Sequence, residues 1–143
     1  MNKTRIEFSS HSVNESFARM TAAAFVSYLD PAVSDIADIK TAVSEAVTNA
    51  IIHGYEGTDG IVTMEISVSE RLVTFTVSDS GRGIEDVAKA REPLFTTGGE
   101  ERSGMGFTIM ESFMDKLVVR STPGRGTTVV MRKRLAPRLK SGT

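Results

Sequence analysis

The chain has 143 residues, with 17 Lys plus Arg, 18 Asp plus Glu, two histidines and no cysteine. That length predicts one domain with its own core, and the composition excludes a disulfide scaffold, a thiolate zinc site and a cysteine nucleophile. A formal net charge of −1 lacks the basic excess of a nucleic-acid binder, and the chain has neither a membrane-length apolar run nor a signal-peptide start, so a cytoplasmic protein is expected, with no membrane or direct nucleic-acid contact.

Thr4 to Ser9 reads as a strand with Ile6 and Phe8 on one face. A helix is expected from Val13 to Tyr28, with Val13, Phe17, Met20, Ala24 and Tyr28 as its apolar stripe. Asp30-Pro31 then offers an N-cap and a first helical position. The second helix runs to about His53 and stops at Gly54, with Ile36, Ile39, Val43, Val47 and Ala50 facing the core. The period switches to two at Val62-Met64-Ile66-Val68 and Val73-Phe75-Val77, joined by a turn at Ser69-Glu70-Arg71. Residues 86 to 103 read as a long mobile segment with one helical turn. Gly104-Met105-Gly106 opens a third helix, and Leu117 to Arg120 with Thr127 to Arg132 form a last hairpin around Pro123-Gly124.

The order is β-α-α-β-β-loop-α-β-β. It predicts an α+β fold: a two-layer α/β sandwich with helices on one face of a mixed, mostly antiparallel sheet. The stretch from Arg132 to Thr143 reads as a tail with five basic residues and no acidic one; residues 1 to 135 make the domain, and 136 to 143 its basic, flexible end.

Chemistry gathers on the second helix. Glu45, Asn49 and His53 follow at four-residue steps and form a stripe along one side. Between Thr41 and Gly54 Glu45 is the one carboxylate, and its neighbours Ala42, Ala46, Thr48 and Ile52 are small or apolar. A wet helix face carries several charges, so this one is expected to be covered or to line a pocket. An Asn carbonyl oxygen suits Mg²⁺, which takes few protein ligands, and a carboxylate one turn away can accept a hydroxyl proton. His53 is expected to cap the last carbonyls of the helix.

Three glycine loops follow. In Asp79-Ser80-Gly81-Arg82-Gly83 the carboxylate can only accept hydrogen bonds, which matches the exocyclic amine of adenine, and Gly81 and Gly83 would let backbone approach a flat base. Gly104 and Gly106 open a helix whose free N–H groups can hold phosphates, while Gly98-Gly99 would let a lid fold over them and Arg102 would add charge. Gly124-Arg125-Gly126-Thr127 turns into the last strand and offers a hydroxyl. No P-loop or Rossmann glycine spacing is present.

Together these pieces resemble the GHKL ATPase/kinase superfamily of gyrase, heat-shock 90, histidine kinases and the MutL mismatch-repair protein. Glu45 to Asn49 with Ala50, then Asp79-Gly81-Gly83, then Gly104-Gly106, then Gly126-Thr127 come in that family's order. The run Glu45-Ala46-Val47-Thr48-Asn49-Ala50-Ile51-Ile52-His53-Gly54-Tyr55 is similar to the serine-protein kinases that act as anti-sigma factors. The resemblance implies an ATP- and Mg²⁺-dependent protein serine kinase and homodimer. Such a protein sequesters a sporulation RNA polymerase sigma factor and phosphorylates a serine of an anti-anti-sigma protein. It implies Glu45 as general base, Asn49 as Mg²⁺ ligand, and Asp79 with Gly81 and Gly83 at the adenine. Gly98, Gly104, Met105 and Gly106 would meet phosphates, Thr127 would support the adenine end, and Arg19 is a candidate partner contact. Of the fuller Gly-x-Gly-x-Gly pattern of histidine kinases only Gly104 and Gly106 remain, and the lid, roughly 84 to 103, is short. The alternatives are a histidine-kinase-type catalytic domain, for which His11 is the one loose acceptor, and a non-enzymatic nucleotide-gated binding module.

Overall fold

The computed structural model describes residues 1–93 and 105–137. Five strands, β1 (Asn2–Ser9), β2 (Ile61–Ser69), β3 (Leu72–Asp79), β4 (Lys116–Thr122) and β5 (Gly126–Arg134), form one sheet in the order β1-β2-β3-β5-β4. Each of the four pairings is antiparallel. The register sets Phe75 opposite Ile66 on one side and Met131 on the other, and Val77 between Met64 and Val129. All six are buried, because residues two apart share a face and this face meets the helices. Burial of each such side chain is worth about 1.5–3 kcal/mol.

Four α-helices are described: α1 (Asn14–Val26), α2 (Val33–Asn49), α3 (Val87–Ala90) and α4 (Gly106–Phe113). α2 packs against both α1 and α4. Its core stripe is as expected: Ile39, Val43, Val47 and Ala50 are buried, and Ile36 packs at the margin.

Three local expectations are corrected. On α1 the buried residues are Ala18, Ala22 and Val26, whereas Phe17, Met20 and Ala24 are exposed, as are Val13 at its N-cap and Tyr28 in the 3-10 turn after it. Both sides of this helix are apolar, so periodicity alone cannot choose. Small alanines allow the close approach to α2, and the bulky stripe is turned outward, with Phe17 edge-on to Phe8 at 6.1 Å. The second helix is not capped by Asp30. Asp30 closes a 3-10 turn (Ser27–Leu29) with φ 53°, its N–H bonded to the Ser27 carbonyl, and Ala32 occupies the N-cap. The last strand continues past Arg132 to Arg134, and Lys133 is no tail residue. It is 8% exposed, with its Nζ 2.8 Å from the Phe113 carbonyl and 3.3 Å from Asp38. A buried ammonium must be paired in this way, and here it fastens β5 to the C-terminal end of α4 and the start of α2. Ala136, at the start of the expected tail, is also tied down, its N–H donating to Asp35 at 2.9 Å.

Among the described residues no helix is long and apolar enough to cross a membrane.

Candidate functional site

α2 ends by changing pitch. After Asn49 the chain makes a π-helical turn over Ala50–Gly54, closed by the Tyr55 N–H on the Ala50 carbonyl. Such wider turns recur at functional sites. Here the turn brings His53 and Gly54 onto the same side as Asn49, and all three line a cleft of about 740 Å³. Ala46, Ala50, Val77, Val129, Phe107 and Ile84 give this cleft apolar walls, and Asp79, Gly83, Gly106 and Thr127 also border it. An apolar cavity of this size with a few convergent polar groups is the form of a small-molecule site.

At one part of the cleft, Gly54 sits on Asp79. A Cβ at Gly54 would stand 2.8 Å from Asp79 Oδ1, so only glycine leaves the carboxylate its place. Burial pushes the Asp79 pKa above its ordinary 3.8, while N–H groups of Gly81 and Thr127 donating to the carboxylate pull it back. The Gly81 bond is 2.9 Å. Gly81 itself does not border the cleft; a Cβ there would collide with the Gly54 carbonyl. Gly83, with φ 75°, does border it.

One and a half turns back along α2, the first residue of α4 closes on the other polar group. A Cβ at Gly106 would lie 3.0 Å from Asn49 Nδ2 and 3.4 Å from Glu45 Oε1. The helix N-terminus, the amide and the carboxylate thus converge on one point. Glu45 also borders a second, smaller groove with Arg19, Ala37, Lys40, Thr41 and Ser44. It therefore stands between the main cleft and an outer surface. Arg19 is 3.2 Å from Glu15 one turn before it. Met105 is the N-cap of α4 and does not border the cleft. Gly98 and Gly104 lie outside the described residues. No trio of His, Cys, Asp or Glu able to hold a metal gathers among the described residues. The carboxamide of Asn49 beside a helix N-terminus instead fits an ion shared with a bound phosphate, since Mg²⁺ keeps waters and few protein ligands.

Sequence reasoning assigns Arg82 and Tyr55 no role of their own. Arg82 laces the rim: its N–H donates to the Gly54 carbonyl at 2.9 Å, its carbonyl accepts from Gly124 at 2.6 Å, and its guanidinium reaches the His53 carbonyl at 3.1 Å and Glu56 at 2.8 Å. His53 thus takes a bond from Arg82 and borders the cleft. The Tyr55 hydroxyl donates to the Ile61 carbonyl at 2.6 Å and accepts from Ser80 N–H at 2.8 Å, fixing the loop after Asp79 to the start of β2. Their partners are 6 to 42 residues away in the chain.

The family of the histidine kinase-like ATPase domain matches residues 9–133. An anti-sigma F factor of Thermoanaerobacter sp. (strain X514) is 59% identical over 133 residues, 92% of this chain and 93% of that one. An anti-sigma F factor of Geobacillus kaustophilus is 55% identical over 137 residues, 94% of each chain. Among solved structures, the RsbU and RsbW domains of a Mycobacterium tuberculosis protein match with a TM-score of 0.68 at 23% identity, over 94% of this chain and 32% of that one. The mycobacterial sensor histidine kinase MprB matches at 0.59 and 15% identity, over 96% of this chain and 100% of that one. These two likenesses concern the fold.

Proposed function

Because this chain belongs to the histidine kinase-like ATPase family, and within it to the anti-sigma F factors, we propose that it is an ATP-dependent protein serine kinase that also sequesters a sporulation sigma factor. In this reading it holds the RNA polymerase sigma factor inactive in the cytoplasm and phosphorylates a serine of an anti-anti-sigma protein.

The observation that carries the reading is the order of groups along α2. Asp79 lies under Gly54, Asn49 faces the start of α4, and Glu45 comes next, where the cleft gives way to the outer groove. Adenine donates its amine to Asp79 between Val77 and Ile84. The phosphates run toward the free N–H groups at Gly106, where the helix dipole favours negative charge. Asn49 would hold Mg²⁺, and the ion would supply charge neutralisation for the phosphates there. Glu45 takes the proton from the substrate serine as that hydroxyl oxygen attacks the γ-phosphorus of ATP, the bond to the β,γ-bridging oxygen breaks, and ADP leaves. Its position beside the outer groove supports this role, since a protein substrate must approach from outside. Gly98 and Gly104 remain assigned to the phosphates, Met105 to the turn that presents them, and Thr127 to the adenine end.

The exposed apolar residues of α1 and its two ends, Val13, Phe17, Met20 and Tyr28, support a homodimer. A patch of this kind on a soluble protein marks an interaction surface. Arg19, on the same helix and at the outer groove, is the proposed partner contact. Arg19→Ala should weaken capture of sigma factor by about tenfold in a pull-down with ATP present, as for loss of a charge-assisted bond. Capture equal to that by the parent chain would remove Arg19 from the interface.

A further inference from the structure

We propose that Ser121 is a positioning residue that fixes which way the Thr127 hydroxyl presents itself, and so sharpens the choice of adenine over a 6-oxo purine. The proposal rests on the adenine assignment at Asp79 and concerns a side chain that does not itself border the cleft.

Ser121 and Thr127 face each other across β4 and β5, and Thr127 in turn faces Asp79 across β5 and β3. The Ser121 Oγ has three polar neighbours. It accepts from the Ile84 N–H at 2.7 Å, donates to the Gly126 carbonyl at 2.9 Å, and lies 2.8 Å from the Thr127 Oγ1. A serine hydroxyl has one proton and two lone pairs. Ile84 N–H can only donate, so it takes a lone pair. The Gly126 carbonyl can only accept, so it takes the proton. What remains toward Thr127 is a lone pair, and the contact at 2.8 Å is a hydrogen bond only if Thr127 is the donor. The Thr127 proton is thereby turned away from the cleft, and its oxygen offers the cleft lone pairs only.

The Asp79 carboxylate also only accepts. The two side chains together therefore present an acceptor-only wall. The amine at position 6 of adenine has two N–H donors for the two acceptors, whereas a 6-oxo purine turns an acceptor toward the wall there and keeps a single donor, its N1–H. Without Ser121 the threonine hydroxyl can rotate and donate to the carbonyl. A site that hydrogen-bonds one group rejects the analogue because its own buried polar atoms are left unpaired.

The test is the ratio of ADP to IDP affinity by calorimetry, with Mg²⁺ and without turnover. The parent chain should prefer ADP. Ser121→Ala should lower that preference about tenfold, while Ser121→Thr, which restores the hydroxyl, should return it. Thr127→Val should lower it similarly, and Ser121→Ala added to Thr127→Val should change it no further, as for two members of one chain of bonds. If Ser121→Ala weakens both nucleotides in parallel and leaves the ratio intact, Ser121 is a support for Ile84 alone and the proposal is overturned. Should Ser121→Ala fail to fold, an unchanged ratio in Thr127→Val overturns it equally. A parent chain that does not distinguish ADP from IDP overturns the adenine assignment first.

Discussion

Replacing Glu45 by alanine should reduce phosphoryl transfer to the anti-anti-sigma protein by about 10²–10⁴-fold, the range a positioned general base supplies, while ATP affinity stays within a few-fold of the parent. The expectation follows from where the carboxylate stands. Asn49 borders the main cleft, whereas Glu45 borders the outer groove and approaches the cleft beside Gly106. A nucleotide lying between Asp79 and the start of α4 keeps its contacts when Glu45 is removed. The substrate hydroxyl would lose its proposed base. Glu45→Gln keeps the shape and loses the basicity, so it should be as inactive as alanine. Transfer at the parent rate in either variant, read in single turnover so that product release does not mask chemistry, would remove Glu45 as the base.

Asp79→Asn should weaken ADP binding by about 100-fold, the upper range for a hydrogen bond to a charged group. The asparagine would also bring N–H donors against the adenine amine. The pH dependence has a definite sign. Burial raises the Asp79 pKa above 3.8. In the proposed site ADP binding needs the ionised form, so it should be complete above that raised pKa and fall as pH drops through it, at a higher pH than for an exposed aspartate. For the nucleotide-free fold the sign is opposite. The buried charge costs the folded state stability at neutral pH, and that cost is relieved as pH falls through the raised pKa. Asp79→Asn should remove both dependences. Calorimetric titration of ADP across acidic pH reads the first, and binding of ADP by the variant within twofold of the parent would contradict the assignment.

Much of the cleft's polar lining was legible in the sequence because those residues belong to short-range patterns. The Glu45-Asn49 spacing is a property of the helix itself, and a low-charge helix face announced that something covers it. Asp79 and Gly83 stand in one loop, and Gly106 starts one helix. The strands were legible for a similar reason, since alternation along Val62 to Val68 and Val73 to Val77 already specifies which side is buried. What escaped was set by contacts between distant segments. Ser121 matters because β4 lies beside β5 and because Ile84 returns to it; nothing near residue 121 says so. Tyr55 and Arg82 are joined to their partners only once the π turn, the loop after β3 and the last hairpin have met. Gly54 was readable as a helix stop, but its second role, leaving room for the Asp79 carboxylate, needs the fold. On α1 the pattern was present twice, and packing against α2 chose the alanine face over the larger residues. Lys133 looked like part of a basic tail because its carboxylate partners, Asp35 and Asp38, stand almost a hundred residues earlier.

The most direct measurement incubates the purified chain with γ-labelled ATP, Mg²⁺, the sigma factor and the anti-anti-sigma protein, then treats the products with acid. Acid-stable label on a serine of the anti-anti-sigma protein, with the sigma factor held by the chain beforehand, is the predicted result. Label confined to the chain itself and lost in acid, as for phosphohistidine, would contradict the account, and so would nucleotide-gated binding of the sigma factor with no transfer.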